Sequence, residues 1–110
     1  SAEDKLTRTE LTRADLSGSD TMEVIVSRLE IAPGGRVPLH IHHGDEHLIV
    51  LEGGVMKAPN GKEITFKAGM TAHFPAGKVH GGLTNISDKP LVAYTTHIVE
   101  KGKPFMVLAE

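Results

Sequence analysis

Four of the chain's seven histidines fall within the eight residues His40-Ile41-His42-His43-Gly44-Asp45-Glu46-His47. In an extended strand successive side chains alternate faces, so His40 and His42 project the same way, about 7 Å apart at the backbone, and can converge on one ion. His43 then points to the opposite face. Gly44 and Asp45 read as a short turn or bulge, after which Glu46 can present a carboxylate to the same ion. A fourth donor has to come from elsewhere, and Pro75-Ala76-Gly77-Lys78-Val79-His80 supplies a turn followed at once by a histidine. Imidazole and carboxylate donors together suit Fe, Mn, Ni, Zn, Cu or Co. The chain has no cysteine, which excludes thiolate nucleophiles, disulfides and cysteine-ligated zinc or iron–sulfur sites. Two histidines on one strand face with a carboxylate four residues later outweigh a chance cluster, because such a group is costly to bury unpaired.

Two further histidines are candidates for chemistry at that ion. His73 precedes the Pro75 turn and His97 lies on a late strand, so either could line the barrel as an acid or base beside the metal, the alternative for each being a structural role. His47 should face away from the ion by strand alternation and serve an interface. Met22, Met56, Met70 and Met106 are expected as adaptable core fillers. A single tyrosine, Tyr94, and no tryptophan leave few platforms on which sugar rings could stack.

The elements that must position these groups read almost entirely as strands. Met22 to Ile31 is rich in β-branched residues and stops at Pro33-Gly34-Gly35; Arg36 to His42 alternates; Leu48 to Leu51 is continuously apolar. Asn60-Gly61 predicts a type I′ hairpin between Val55–Ala58 and Glu63–Phe66. Further strands are expected at Thr71–Phe74, near His80–Leu83, at Leu91–Val99 and at Phe105–Leu108. No stretch keeps a 3.6-residue period, so short strands spaced by turns argue for an antiparallel sandwich or barrel. Residues 1–20 are polar, with a turn cluster at Ser17-Gly18-Ser19-Asp20, and read as an N-terminal arm leading into a domain over 21–110.

At 110 residues and 11.8 kDa the chain suits a single core. A net charge of −2, with twelve Lys and Arg scattered along the chain, lacks the basic footprint of a nucleic-acid binder. No run approaches the roughly 20 apolar residues that span a bilayer, so a soluble protein is expected, its compartment left open. The chain opens Ser1-Ala2-Glu3-Asp4 without Met, which is expected of a cleaved leader or an expression scar.

Gly34, five residues, His40-Ile41-His42, three residues, Glu46, six residues and Gly53 resemble the first motif of the cupin superfamily. Gly69, five residues, Pro75-Ala76-Gly77, two residues and His80 resemble the second, except that Thr84 stands where that motif closes on asparagine and Asn85 comes one residue later. The fifteen-residue spacing between Gly53 and Gly69 is similar to that of small single-domain bacterial cupins. The resemblance implies an all-β, antiparallel jelly-roll (double-stranded β-helix) barrel. It also implies one divalent transition-metal ion on His40, His42, Glu46 and His80, with two adjacent coordination positions left open. The expected activity is that of a metal-dependent oxygenase or isomerase on a small chelating oxygen-donor compound. The alternative is a binding or sensing module for a sugar or organic acid, because fold alone does not settle function. Val37, Leu39 and Ile41 alternate with the metal-facing residues, and Leu48–Leu51 follows. A strand apolar on both sides predicts a covering partner, most simply a homodimer.

Overall fold

The computed structural model describes residues 1–110, in which every regular element is a strand apart from a 3-10 turn at Glu3–Lys5. The strands are β1 (Leu6–Asp15), β2 (Met22–Ile31), β3 (His40–Ile41), β4 (Gly44–Glu52), β5 (Gly54–Lys57), β6 (Glu63–Phe66), β7 (Thr71–Phe74), β8 (Thr84–Asn85), β9 (Leu91–Glu100) and β10 (Val107–Leu108). All of them pair antiparallel. A five-stranded sheet runs β1-β2-β9-β4-β7, a three-stranded one β6-β5-β8, and β10 pairs with β3. This is a single-domain antiparallel jelly roll, as the alternating short strands predict.

Period-two patterning fixes which faces turn inward. Ile25, Ser27, Leu29 and Ile31 of β2 are buried on one side. Leu29, Ile31 and Leu91 from the large sheet pack with Met56 from the small one, so the core lies between the two sheets. Of the four methionines only Met56 fills the core fully; Met70 and Met106 are exposed.

Residues 1–20, which read as a polar arm, contain β1, paired with β2 over nearly its whole length. Only Leu6 of this strand is even half-buried. Hydropathy could not reveal it, because an edge strand is held by backbone hydrogen bonds on one side. Its charged side chains also guard that edge against pairing with other chains.

Four further expectations shift. Asn60 does not take positive φ, so the hairpin is not type I′; only Gly61 does, at 87°. Gly61 N–H donates to the Ala58 carbonyl and Ala58 N–H to the Lys62 carbonyl, which closes a three-residue loop. Pro59, whose ring holds φ negative, favours a type I turn followed by a left-handed glycine. Gly44 opens a strand instead of forming a turn, because β9 passes so close that a Cβ there would overlap the Ile98 carbonyl. Strand geometry within Arg36–His42 is limited to His40–Ile41, and His80–Leu83 forms only a bridge through His80. Asn85 is fully buried: its Nδ2 donates to the Ile31 and Lys89 carbonyls and its Oδ1 accepts from Ser87 N–H.

Candidate metal centre

The first two imidazoles are set by β3 and the residue just beyond it. His40 and His80 exchange backbone hydrogen bonds of 2.9 and 3.0 Å, which brings the loop after Pro75 against β3. That approach requires Gly81, with φ of 101°, since a Cβ there would overlap the Pro38 carbonyl. Glu46 is inward-facing on β4, and Phe74, its register partner on β7, stacks on His80 with ring centroids 4.2 Å apart. His40, His42 and Glu46 are buried and His80 nearly so.

One ligating atom from each of these four residues lies within 4.8 Å of all the others. Nε2 of His40 is 3.1 Å from Nε2 of His42, and Oε1 of Glu46 is 3.3 Å from His42 Nε2 and 3.0 Å from His80 Nε2. Bonds of about 2.1 Å to a common ion at right angles would put neighbouring donors about 3.0 Å apart, so the set has the dimensions of a coordination shell. The other ring nitrogens decide the tautomers. Nδ1 of His40 lies 2.6 Å from the Pro38 carbonyl, that of His42 2.7 Å from the Phe105 carbonyl and that of His80 2.9 Å from the Lys78 carbonyl. A carbonyl only accepts, so each Nδ1 carries the proton and each Nε2 turns a lone pair toward the shared centre. Two such lone pairs 3.1 Å apart repel unless a cation sits between them, and a divalent transition ion fits that need.

Burial alone would raise the Glu46 carboxyl, but the close approach of its Oε1 to the His42, His80 and His97 rings outweighs this and holds the group far below the usual carboxylate range, as an anionic donor. Burial lowers His40, which favours the neutral ring that a metal needs. Burial would lower His80 too, yet its contacts with Glu46 and the Lys78 carbonyl outweigh this and raise it.

His97 is fully buried, with Nε2 3.3 Å from both Glu46 Oε1 and His42 Nε2. It differs from the other three rings in that its buried Nδ1 has no hydrogen-bond partner. The tautomer that satisfies Glu46 carries its proton on Nε2 and donates it, leaving Nδ1 as a bare acceptor. His73 is not brought to the cluster. It lies on the outer face, half-exposed, stacked on His47 at 4.5 Å and 3.6 Å from Asp45. His47 faces outward, as alternation predicts.

Beside Glu46 and His80 opens an interior cavity of about 120 Å³, walled mainly by apolar side chains such as Leu29, Met56, Phe66 and Leu91. Neither His73 nor His97 lines it; its charged or titratable wall groups are Arg8, Glu46 and His80. Arg8, Phe74 and Phe105 were not singled out in the sequence. Phe105 contacts the rings of His42 and His97 at 5.0 and 4.6 Å. Arg8 is in register with the inward-facing Leu29, a placement that no pattern in its own stretch signals.

A family model described as a cupin domain matches residues 27–99. Auxin-binding protein ABP19b of Prunus persica is 33% identical over 87 residues, covering 74% of this chain and 41% of its own. The chain thus spans about two-fifths of the length of that curated relative. Among solved structures, the polyketide cyclase RemF of Streptomyces resistomycificus superposes with a TM-score of 0.68 at 20% identity, over 96% of this chain and 72% of that one. The DMSP lyase DddQ of Ruegeria pomeroyi gives 0.66 at 18%, over 96% and 52%. A cupin domain of Bordetella pertussis gives 0.62 at 22%, over 84% and 92%.

Proposed function

The chain belongs to the cupin-domain family, and from that premise we propose that it holds one divalent transition-metal ion on His40, His42, Glu46 and His80 and is a metal-dependent oxygenase or isomerase acting on a small chelating oxygen-donor compound. One observation carries this reading: three imidazoles and one carboxylate converge on one point, and two of these residues, Glu46 and His80, wall an apolar cavity. When bound, the ion would supply Lewis acidity and, if redox-active, an electron acceptor or donor. The chain's own residues do the rest. The Pro38, Lys78 and Phe105 carbonyls orient the rings, and Phe74 and the apolar wall keep water from the cavity. His97 holds Glu46.

A second reading is supported by two facts. No titratable group other than Arg8 and the ligands themselves lines the cavity, and the curated peach relative is named for binding a small organic compound. On that reading the cavity holds its ligand unchanged. The neighbours named as a cyclase and a lyase support only that this fold accommodates chemistry on small molecules. Screening diketones, phenols and keto-sugars against the Fe, Mn, Ni and Zn forms, by oxygen electrode and mass spectrometry, separates the two. Turnover in any form supports the enzyme, and tight binding without change in every form replaces it with the binding module.

We also propose the homodimer, though not through Val37, Leu39 and Ile41, of which Val37 packs on the chain's own core, but through the outer face of the large sheet, where Ile49, Leu51 and Tyr94 are exposed.

A further inference from the structure

Arginine 8 stands apart from the other three arginines. Arg13, Arg28 and Arg36 each pair with a carboxylate within 3.5 Å, whereas Arg8 pairs with none. Its Nη1 donates to Thr95 Oγ1 at 2.8 Å, and its guanidinium lies 5.0 Å from the Phe105 ring centroid. Thr95 has no exposed surface, so this contact turns the guanidinium inward although Arg8, like the rest of β1 beyond Leu6, is exposed. The carboxylate whose charge acts on it is Glu46, and an ion at the metal centre would engage that carboxylate. Arg8 is thus a cation on an apolar wall without an anion of its own.

Its place in the fold gives this cation a purpose. Arg8 is the one residue common to the interior cavity and to an outer groove of about 230 Å³ bordered by Glu10, Arg13, Ser27 and Phe105. It therefore stands between the outer groove and the cavity that Glu46 and His80 wall. Thr95 and His97 are two residues apart on the inward face of β9, and His97 is in register with Glu46. The guanidinium accordingly sits about one same-face step, roughly 7 Å along the strands, from the row that holds the metal donors. A ligand bound to the ion at one end would meet Arg8 at the other.

We propose that the cavity takes a small carboxylate with an apolar body, its carboxylate held by Arg8 while oxygen donors at the opposite end engage the metal centre. The inference rests on the metal-dependent reading above and names its ligand class. A cavity of about 120 Å³ is of the order that admits a body of benzene size, for which about 150 Å³ suffices. The guanidinium N–H groups not given to Thr95 suit a carboxylate in geometry as well as in charge.

The test compares 3,4-dihydroxybenzoate with catechol, which has the same chelating oxygens and no carboxylate, on the zinc-loaded full chain by calorimetry. The wild type is expected to prefer the carboxylate by about tenfold, the scale of one charge-assisted hydrogen bond. Arg8→Gln should erase the preference while leaving catechol affinity and zinc content unchanged, and Arg8→Lys should restore part of it. An undiminished preference in Arg8→Gln overturns the assignment, as does a wild type that binds both compounds equally or neither. Should the glutamine variant fold poorly by circular dichroism, the wild-type comparison and the lysine variant decide. Failure of the metal reading shows separately, as missing zinc; failure of the enzyme reading shows as binding without turnover, which leaves the role of Arg8 standing.

Discussion

His97 and Glu46 are register partners on β9 and β4, and Nε2 of the buried imidazole lies 3.3 Å from Oε1 of the carboxylate. Because His97 Nδ1 is unpartnered, Nε2 makes all of the ring's polar contacts, to Glu46 Oε1 and His42 Nε2 at 3.3 Å each, and a proton on Nε2 facing Glu46 aims the carboxylate. Replacing His97 with leucine should weaken metal affinity by about tenfold or more, as loss of a group that orients a ligand commonly does. His97→Gln, which can still donate, should keep most of it. Competition against a chromophoric chelator measures both, and equal losses in the two variants would show packing instead of aim.

His40 and His42 supply two of the four converging donors. The double variant His40→Ala/His42→Ala should lose metal altogether while keeping its strand signal in circular dichroism. Elemental analysis of protein purified without an immobilised-metal column checks this, and full metal content in the variant would remove the assignment.

Metal affinity should fall with falling pH, since each imidazole must be neutral to ligate. His80 is raised above the ordinary histidine value of 6.5, so it takes up a proton first as pH drops and the decline starts above that value. His40, lowered from 6.5, gives up its role later. The carboxylate stays ionised throughout, being held far below its usual range. Titrating the chelator competition from pH 8 to pH 5 (about the span over which histidine charges) reads this, and constant affinity would contradict histidine ligation.

Asn85 makes three hydrogen bonds from a fully buried position, tying β8 to the end of β2 and to the loop after it. Asn85→Ala should destabilise the fold by about 2–4 kcal/mol, because it leaves the buried Ile31 carbonyl and the partly buried Lys89 carbonyl and Ser87 N–H without this partner. Urea unfolding measures the loss, and a change below about 1 kcal/mol, the size of one ordinary hydrogen bond, would mean that water replaces the side chain.

Ile49 lies exposed on the outer face beside Tyr94, its register partner on β9. Ile49→Glu should convert a dimer to a monomer in sedimentation velocity without changing metal content. A wild type that sediments as a monomer at micromolar concentration would dispose of the interface.

Much of the centre is local and so could be read directly. Side-chain parity in a strand depends only on backbone geometry, which is why His40 and His42 share a face, His47 turns outward, and Met22–Ile31 and Thr71–Phe74 form strands with the expected bounds. Turn chemistry was less legible where neighbours compete: Asn60-Gly61 alone indicates one turn, and Pro59 before it imposes another.

What the sequence by itself determined is an antiparallel all-β class, from periodicity, and, through the resemblance of its two motifs to those of cupins, the jelly roll, the family and the four converging residues. What only the tertiary structure decided is where the remaining polar groups go. His97 and His73 look alike in sequence, yet one lies against Glu46 and the other on the outer surface, since strand register assigns their faces. Arg8 belongs to a stretch with no apolar signal and reaches the cavity only because β1 pairs with β2. Register and pairing are set by backbone hydrogen bonds between residues distant in sequence, and those bonds leave no trace in the pattern of either strand alone.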